Sequence, residues 1–210
     1  MLKVGLTGGI ASGKSVVGEM FVALGARLVQ ADRIAHQLML PGQPVYNEVV
    51  RHFGGGILNP DLSVNRAKLA EAAFGSATPA ASRIEELNRI VHPAVIHSQD
   101  GWMEEMGRQD PHAIAIVEAA LILEAGAAKR FDRLIVVTCS DEQRIARFAA
   151  RQKMPLEEAR KEVTRRMAAQ LPEAEKIKAA NYVVDNSGSL EQTRQQVEQV
   201  WQNFRAAAYS

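Results

Sequence analysis

The strongest chemistry in the chain sits near its amino end. Residues 8–15 read Gly8-Gly9-Ile10-Ala11-Ser12-Gly13-Lys14-Ser15, which fits G-x-x-x-x-G-K-[ST], the phosphate-binding P-loop. Glycines open backbone conformations closed to other residues. Successive amide N–H groups can then point inward and hold anionic oxygens. A helix starting at the same place adds the positive end of its dipole. Lys14 brings a full positive charge to the β and γ phosphates of a nucleoside triphosphate. Ser15 offers a hydroxyl ligand to the Mg²⁺ that bridges those phosphates.

Phosphoryl transfer needs two more things: a base beside an acceptor hydroxyl, and cations that cover the transferring group. Asp32 is the expected base, since it follows a short strand and should lie at the carboxyl edge of a sheet. A role as a helix N-cap before Ile-Ala-His-Gln-Leu is the equal alternative. Arg144, Arg147 and Arg151 repeat at i, i+3 and i+7, one face of a helix. They offer forked donors for phosphate oxygens. The competing reading is a solvated face paired with Glu142, Glu157 and Glu158.

The elements that must position these groups follow from apolar patterning. Residues 2–7, 27–31, 114–117, 134–138 and 182–185 read as short strands, several of them continuously apolar and so covered on both faces. Residues 13–24 carry helical spacing that stops at Gly25. Strands alternating with helices predict an α/β fold with a parallel sheet. Two stretches break the alternation. Residues 32–110 hold helical patterns and the turn-rich segment 54–63 but no convincing strand. Residues 141–180 are polar, arginine-rich and interrupted at Pro155 and Pro172.

Composition bounds the rest. The chain has 210 residues, 47% hydrophobic and 23% charged, a globular balance with material for a real core. Net charge is +1, which argues against a broad nucleic-acid-binding face. A single cysteine, Cys139, permits no intrachain disulfide and reads as a small core residue. No apolar run is long enough to span a membrane, and the first ten residues lack the pattern of a secretory signal. A cytoplasmic protein that binds neither membrane nor nucleic acid is expected; its oligomeric state is left open.

Among nucleotide users, a GTPase switch is disfavoured because neither a D-x-x-G after a second strand nor an N-K-x-D is found. A motor would call for a larger chain or an assembly. A regulatory module without transfer activity is disfavoured by Asp32 and the arginines. His36, His52, His97 and His112 lack metal-ligand spacing and read as surface or packing residues. His92 precedes Pro93, which biases it away from helix; it either contacts substrate or shapes a turn. Glu118, at a strand end, either assists Mg²⁺ through water or is structural. Glu124 reads as structural.

With these residues in hand, the chain resembles the dephospho-coenzyme A kinases over nearly its whole length. Residues 4–15, Ala31-Asp32 with the following Ile-Ala-His-Gln-Leu, and Phe53-Gly54 through Asn65-Arg66 and Leu69 to Phe74 are similar to that family's segments. So are Leu87-Asn88, His92-Pro93, Leu121 to Glu124, Arg147 with Arg151, Arg166 to Gln170, Lys176 and Tyr182 to Gly188. Ala120, Arg144 and Asn181 depart from the family pattern. The resemblance implies a P-loop kinase fold: a five-stranded parallel sheet with helices on both faces, plus helical substrate-binding and lid insertions. Residues 1–31, 111–138 and 181–210 would form the nucleotide-binding core, 32–110 the acceptor insertion and 139–180 the lid. The implied reaction moves the γ-phosphoryl of ATP to the ribose 3′-hydroxyl of dephospho-CoA, giving coenzyme A and ADP in the last step of coenzyme A synthesis. Asp32, Lys14 and Arg147 would be catalytic. Gly9, Ile10, Ala11, Ser12, Gly13, Lys14, Ser15, Val16 and Asn186 would bind nucleotide. Asp32, His92 and Arg66 would bind acceptor, and Ser15 would hold Mg²⁺.

Overall fold

A computed structural model describes residues 1–74 and 83–208. Residues 75–82 of the expected acceptor insertion and 209–210 of the expected core lie outside the described residues. The chain divides into two compact units, one of Met1–Gln30 with Met103–Ser210 and one of Ala31–Trp102.

The first unit is built on β1 (Leu2–Gly8), β2 (Arg27–Gln30), β3 (Ile114–Glu118), β4 (Arg133–Thr138) and β5 (Tyr182–Asp185). They form one parallel sheet in the order β2-β3-β1-β4-β5. Every residue of β3 and nearly every residue of β1 and β4 is buried. That explains the unbroken apolar runs: a central parallel strand has no solvent face to mark with polar residues. Because β1 has β3 on one side and β4 on the other, the chain leaves it in one direction and later crosses to the opposite side. Its carboxyl end is therefore the switch point of the sheet, where α/β folds open a ligand crevice.

Two helices cover one face. In α1 (Lys14–Ala23), Val17, Gly18 and Phe21 turn inward. In α9 (Leu190–Ala208), Thr193, Val197, Val200 and Phe204 are buried at spacings of four, three and four, a single apolar stripe. They share a core with Leu2, Val4, Leu6, Ile116, Ile135, Val137 and Val184. Phe204 is its anchor. Its ring lies 5.9 Å from Phe21 and 5.2 Å from Tyr182, stacked on the first and edge-on to the second. A smaller cluster joins Ile122 and Ala127 to Leu134 of β4.

Three more helices follow β4: α6 (Asp141–Gln152), α7 (Leu156–Ala168) and α8 (Glu173–Ala179). Ser140 starts α6 with a reciprocal capping box, accepting from the Gln143 amide while the Gln143 side chain accepts from the Ser140 amide. Pro155 and Pro172 stand at the N-caps of α7 and α8, so the two prolines that interrupt the sequence pattern mark helix starts.

The second unit holds α2 (Ala31–Leu38), α3 (Pro44–Phe53), α4 (Arg66–Phe74) and the part of α5 (Ile84–Gln109) up to Trp102. Among the described residues its only β pairing is an isolated antiparallel bridge between Leu58 and Val64. The turn-rich segment between them is tied by its own side chains. Ser63 donates to Asp61 from its amide (3.0 Å) and its hydroxyl (2.6 Å), which holds the Asp61 carboxyl below its ordinary range. Glu86 of α5 is held at a pKa of about 2 by hydrogen bonds, first from Arg83 and then from His52.

One expectation fails here. His92 and Pro93 lie inside α5, not in a turn. Proline in a helix interior costs about 3 kcal/mol and one main-chain hydrogen bond. Val91 and Val95, one turn apart and both buried, supply the packing that keeps the helix continuous through it.

Among the described residues, no helix is long and apolar enough to cross a membrane. Removing the aromatic anchor of α9 tests the core directly. Phe204→Ala should lower unfolding free energy by about 3–5 kcal/mol in urea denaturation, with the slope of the transition unchanged.

Candidate nucleotide site

The P-loop leaves β1 at Gly8 and enters α1 at Lys14. Gly13 caps the helix in the left-handed region, at φ 95°. A side chain there would be strained, and its Cβ would also overlap the amide of Asn186. Ala11, likewise left-handed at φ 54°, turns the chain at the apex.

The loop's carbonyls are held from outside. Arg144 of α6 donates from Nη1 to the Ile10 carbonyl at 3.2 Å. Two groups reach the Ser12 carbonyl: Asn186 Nδ2 at 2.9 Å and Arg147 Nη1 at 3.3 Å. Arg147 Nη2 also donates to the Asn186 carbonyl at 2.9 Å. Thr193 of α9 fixes the Asn186 amide by donating to its Oδ1 at 3.1 Å. Lys14 Nζ lies 3.0 Å from the carbonyls of both Gly8 and Gly9, drawn back over the loop. A trans peptide points its N–H opposite to its C=O. Carbonyls anchored outward therefore turn the following amides, those of Ala11 and Gly13, toward the concave side of the loop.

At the start of α1 the Ser15 hydroxyl donates to Glu118 Oε1 at 2.8 Å. Gln30 Nε2 donates to the other oxygen of that carboxylate at 2.7 Å. The ends of β2 and β3 and the head of α1 thus converge on one carboxylate. A serine hydroxyl and a carboxylate in contact are hard oxygen donors suited to Mg²⁺, which takes few protein ligands and completes its shell with phosphate and water. Among the described residues no group of three or more His, Cys, Asp or Glu gathers as a metal site.

The arginines divide by role. Arg144 and Arg147 face the loop. Arg151 lies over the Phe148 ring at 5.6 Å, and Arg166 over the same ring at 5.3 Å. Arg165 and Arg166 pair with Glu162, whose pKa they hold at about 2, the Arg165 hydrogen bond contributing most. The solvated-face reading suits Arg165 and Arg166, with Glu162 as partner. It fails for Arg144, which is 1% exposed and ion-paired to Glu173 of α8. Glu124 has the structural role expected of it: it receives Lys176 at 2.8 Å and the Leu171 amide at 3.1 Å. Burial raises the Cys139 thiol above its usual range, as a core cysteine should show.

Of the residues singled out in the sequence, the structure brings Gly9, Ile10, Ala11, Ser12, Gly13, Lys14, Ser15, Arg147 and Asn186 together. The Val16 side chain turns toward α9, lining a groove with Met20, Val197 and Glu198. Asp32, Arg66 and His92 belong to the second unit. Asp32 is exposed in the first turn of α2, because β2 stops at Gln30 and the helix begins at Ala31. It is therefore neither a strand end nor an N-cap. Arg66 is the exposed first residue of α4. His92 is half-buried on α5, and loss of solvation lowers its pKa, favouring neutral imidazole. Sequence reading missed Gln30, Glu173 and Thr193. None carries a motif; Gln30 and Glu173 act through partners distant in the chain, and Thr193 through Asn186 across the turn that joins β5 to α9.

Comparisons with known proteins identify the family. The family model for dephospho-CoA kinase matches residues 2–192. A dephospho-CoA kinase of Moorella thermoacetica is 38% identical over 98% of this chain and 93% of its own length. One from Corynebacterium jeikeium is 40% identical over 96% and 98%. Among solved structures, a Thermus thermophilus protein superposes with a TM-score of 0.76 at 30% identity, covering 96% of this chain and 97% of that one. A shikimate kinase of Acinetobacter baumannii, at 12% identity and TM-score 0.52, covers 99% and 94% and shares the fold alone. The sheet order, the P-loop at its switch point and a match over residues 2–192 lead to one conclusion: the chain belongs to the dephospho-CoA kinase family.

Proposed function

We propose that the chain transfers the γ-phosphoryl of ATP to the ribose 3′-hydroxyl of dephospho-CoA, the last step of coenzyme A synthesis. The observation that carries the nucleotide half is the cradle itself, with Lys14 beside it and Ile10 and Ser12 carbonyls anchored outward. The acceptor follows from family membership.

In this reading residues 9–16 bind the phosphates: amides of the loop and of the first turn of α1 donate to oxygens, and Val16 contributes its main chain only. Lys14 leaves the Gly8 and Gly9 carbonyls for the β and γ phosphates, exchanging neutral acceptors for charged ones. Ser15 would hold Mg²⁺, with Glu118 assisting, and the ion would offset the charge that builds on the phosphate oxygens. Asn186 borders the adenine. Asp32 takes the proton of the 3′-hydroxyl as the new O–P bond forms. The bond from Pγ to the bridging oxygen breaks, ADP leaves, and the proton passes to solvent. Arg147 covers the transferring group, giving up its main-chain acceptors to do so. We assign residues 32–110 to dephospho-CoA, with Arg66 and His92 as contacts, and 139–180 to the lid. A reaction that consumes ATP and a soluble precursor belongs in the cytoplasm.

An acceptor screen tests the proposal. ADP release should rise strongly with dephospho-CoA and not with adenosine; equal slow hydrolysis in both cases contradicts it. Lys14→Ala should lower kcat by about 100-fold or more, because charge in the transition state goes uncompensated. Asp32→Asn should depress turnover while calorimetry shows ATP affinity nearly unchanged; weakened ATP binding with normal turnover contradicts its role. Chelation with EDTA should abolish transfer, and added Mg²⁺ should restore it.

A further inference from the structure

We propose that Arg144 is a positioning residue for the triphosphate cradle, clamping the loop apex to α6 and α8. The inference deepens the kinase reading and rests on it for the identity of the bound nucleotide.

The residue is an unusual place to find a charge. Its side chain is 1% exposed, among the most buried in the protein. An arginine taken out of water loses solvation that must be regained from partners. Two of its partners come from distant parts of the chain and the third lies one turn away on α6. Nη1 donates to the Ile10 carbonyl, Nη2 pairs with Glu173, and Nε lies 3.5 Å from the Asp141 carboxylate. A planar guanidinium spans such acceptors in fixed directions; a lysine ammonium does not.

Both ends of the clamp meet the cradle. The Ile10 side chain is buried with Ile145, Phe148, Ala149, Ala159 and Val163, so α6 and α7 grip Ile10 by its apolar side chain as well as by its carbonyl. A Cβ on Gly9 would overlap the Arg144 guanidinium, which shows how closely the side chain lies against the loop. Holding the Ile10 carbonyl outward fixes the Ala11 amide on the concave side. On the far side, Glu173 heads α8, and Lys176 of the same helix is 2% exposed and paired with Glu124. The loop apex is thus tied through Arg144 to a helix that is itself anchored.

A residue that only fills space would affect stability alone. A positioning residue affects triphosphate binding specifically, and the two are separable. Arg144→Met keeps the apolar stem and removes all three polar contacts. Arg144→Lys keeps the charge and loses the fork. With full-length protein, ATP KM for Arg144→Met should rise about 10-fold or more, the scale of one lost charged hydrogen bond. For Arg144→Lys it should rise severalfold. In both, KM for dephospho-CoA should stay within about twofold of the parent and kcat should fall less than ATP affinity does. Calorimetric ATP binding should weaken in parallel, while adenosine binding, which does not use the cradle, should not. If Arg144→Met does not fold by circular dichroism, Arg144→Lys decides alone. An ATP KM and Kd within twofold of the parent in every folded variant, with only Tm lowered, overturns the proposal. Because ATP binding is read directly, the clamp is tested even if the parent fails to phosphorylate dephospho-CoA, an outcome that would reject the kinase reading instead.

Discussion

A peptide unit is flat and trans, so a loop cannot offer its amides inward without sending its carbonyls outward. Those carbonyls are strong acceptors and need partners when they leave solvent. This constraint organises the first unit. The Ile10 carbonyl is met by Arg144, and the Ser12 carbonyl by Arg147 and Asn186. The elements that deliver these groups, α6 and the turn after β5, have to be where they are for the loop to keep its shape. Sheet order does the rest. With β1 between β3 and β4, both elements lie beside the carboxyl end of the strand from which the loop springs.

Buried charge follows the same logic. Arg144 and Lys176 are the two fully buried cations among the described residues, and both pair with carboxylates in or near α8. Replacing either pair by apolar groups need not weaken the fold, because desolvation offsets much of the Coulomb gain. Their presence is better understood as direction. Arg144 ties α6 to α8, Lys176 ties α8 to the turn at Glu124, and the first of the two also ends on the loop that holds phosphate.

Much of this was legible in the residues. The P-loop has a spacing that backbone chemistry dictates, and the five strands announce themselves because buried parallel strands carry no polar alternation. What escaped had physical reasons too. Arg144 shares a helix face with Arg147 and Arg151, and periodicity says which residues share a face but not whether water reaches it. Its burial depends on Glu173, far along the chain. Asp32 moved from a strand end to a helix's first turn because β2 runs into α2 with no linker to signal the boundary. His92 and Pro93 continue a helix where a turn was the alternative, because the local bias before a proline is outweighed by the packing of Val91 and Val95. Local rules decided the loop; long-range contacts decided what surrounds it.

The amide cradle can be observed without turnover. In ¹⁵N–¹H spectra of the labelled protein titrated with ADP, the amides of Ala11, Gly13, Lys14 and Ser15 should show the largest shifts, moving as β-phosphate oxygens dock against them. If ADP binds while those four amides stay still and the changes gather elsewhere, the loop is not the phosphate site.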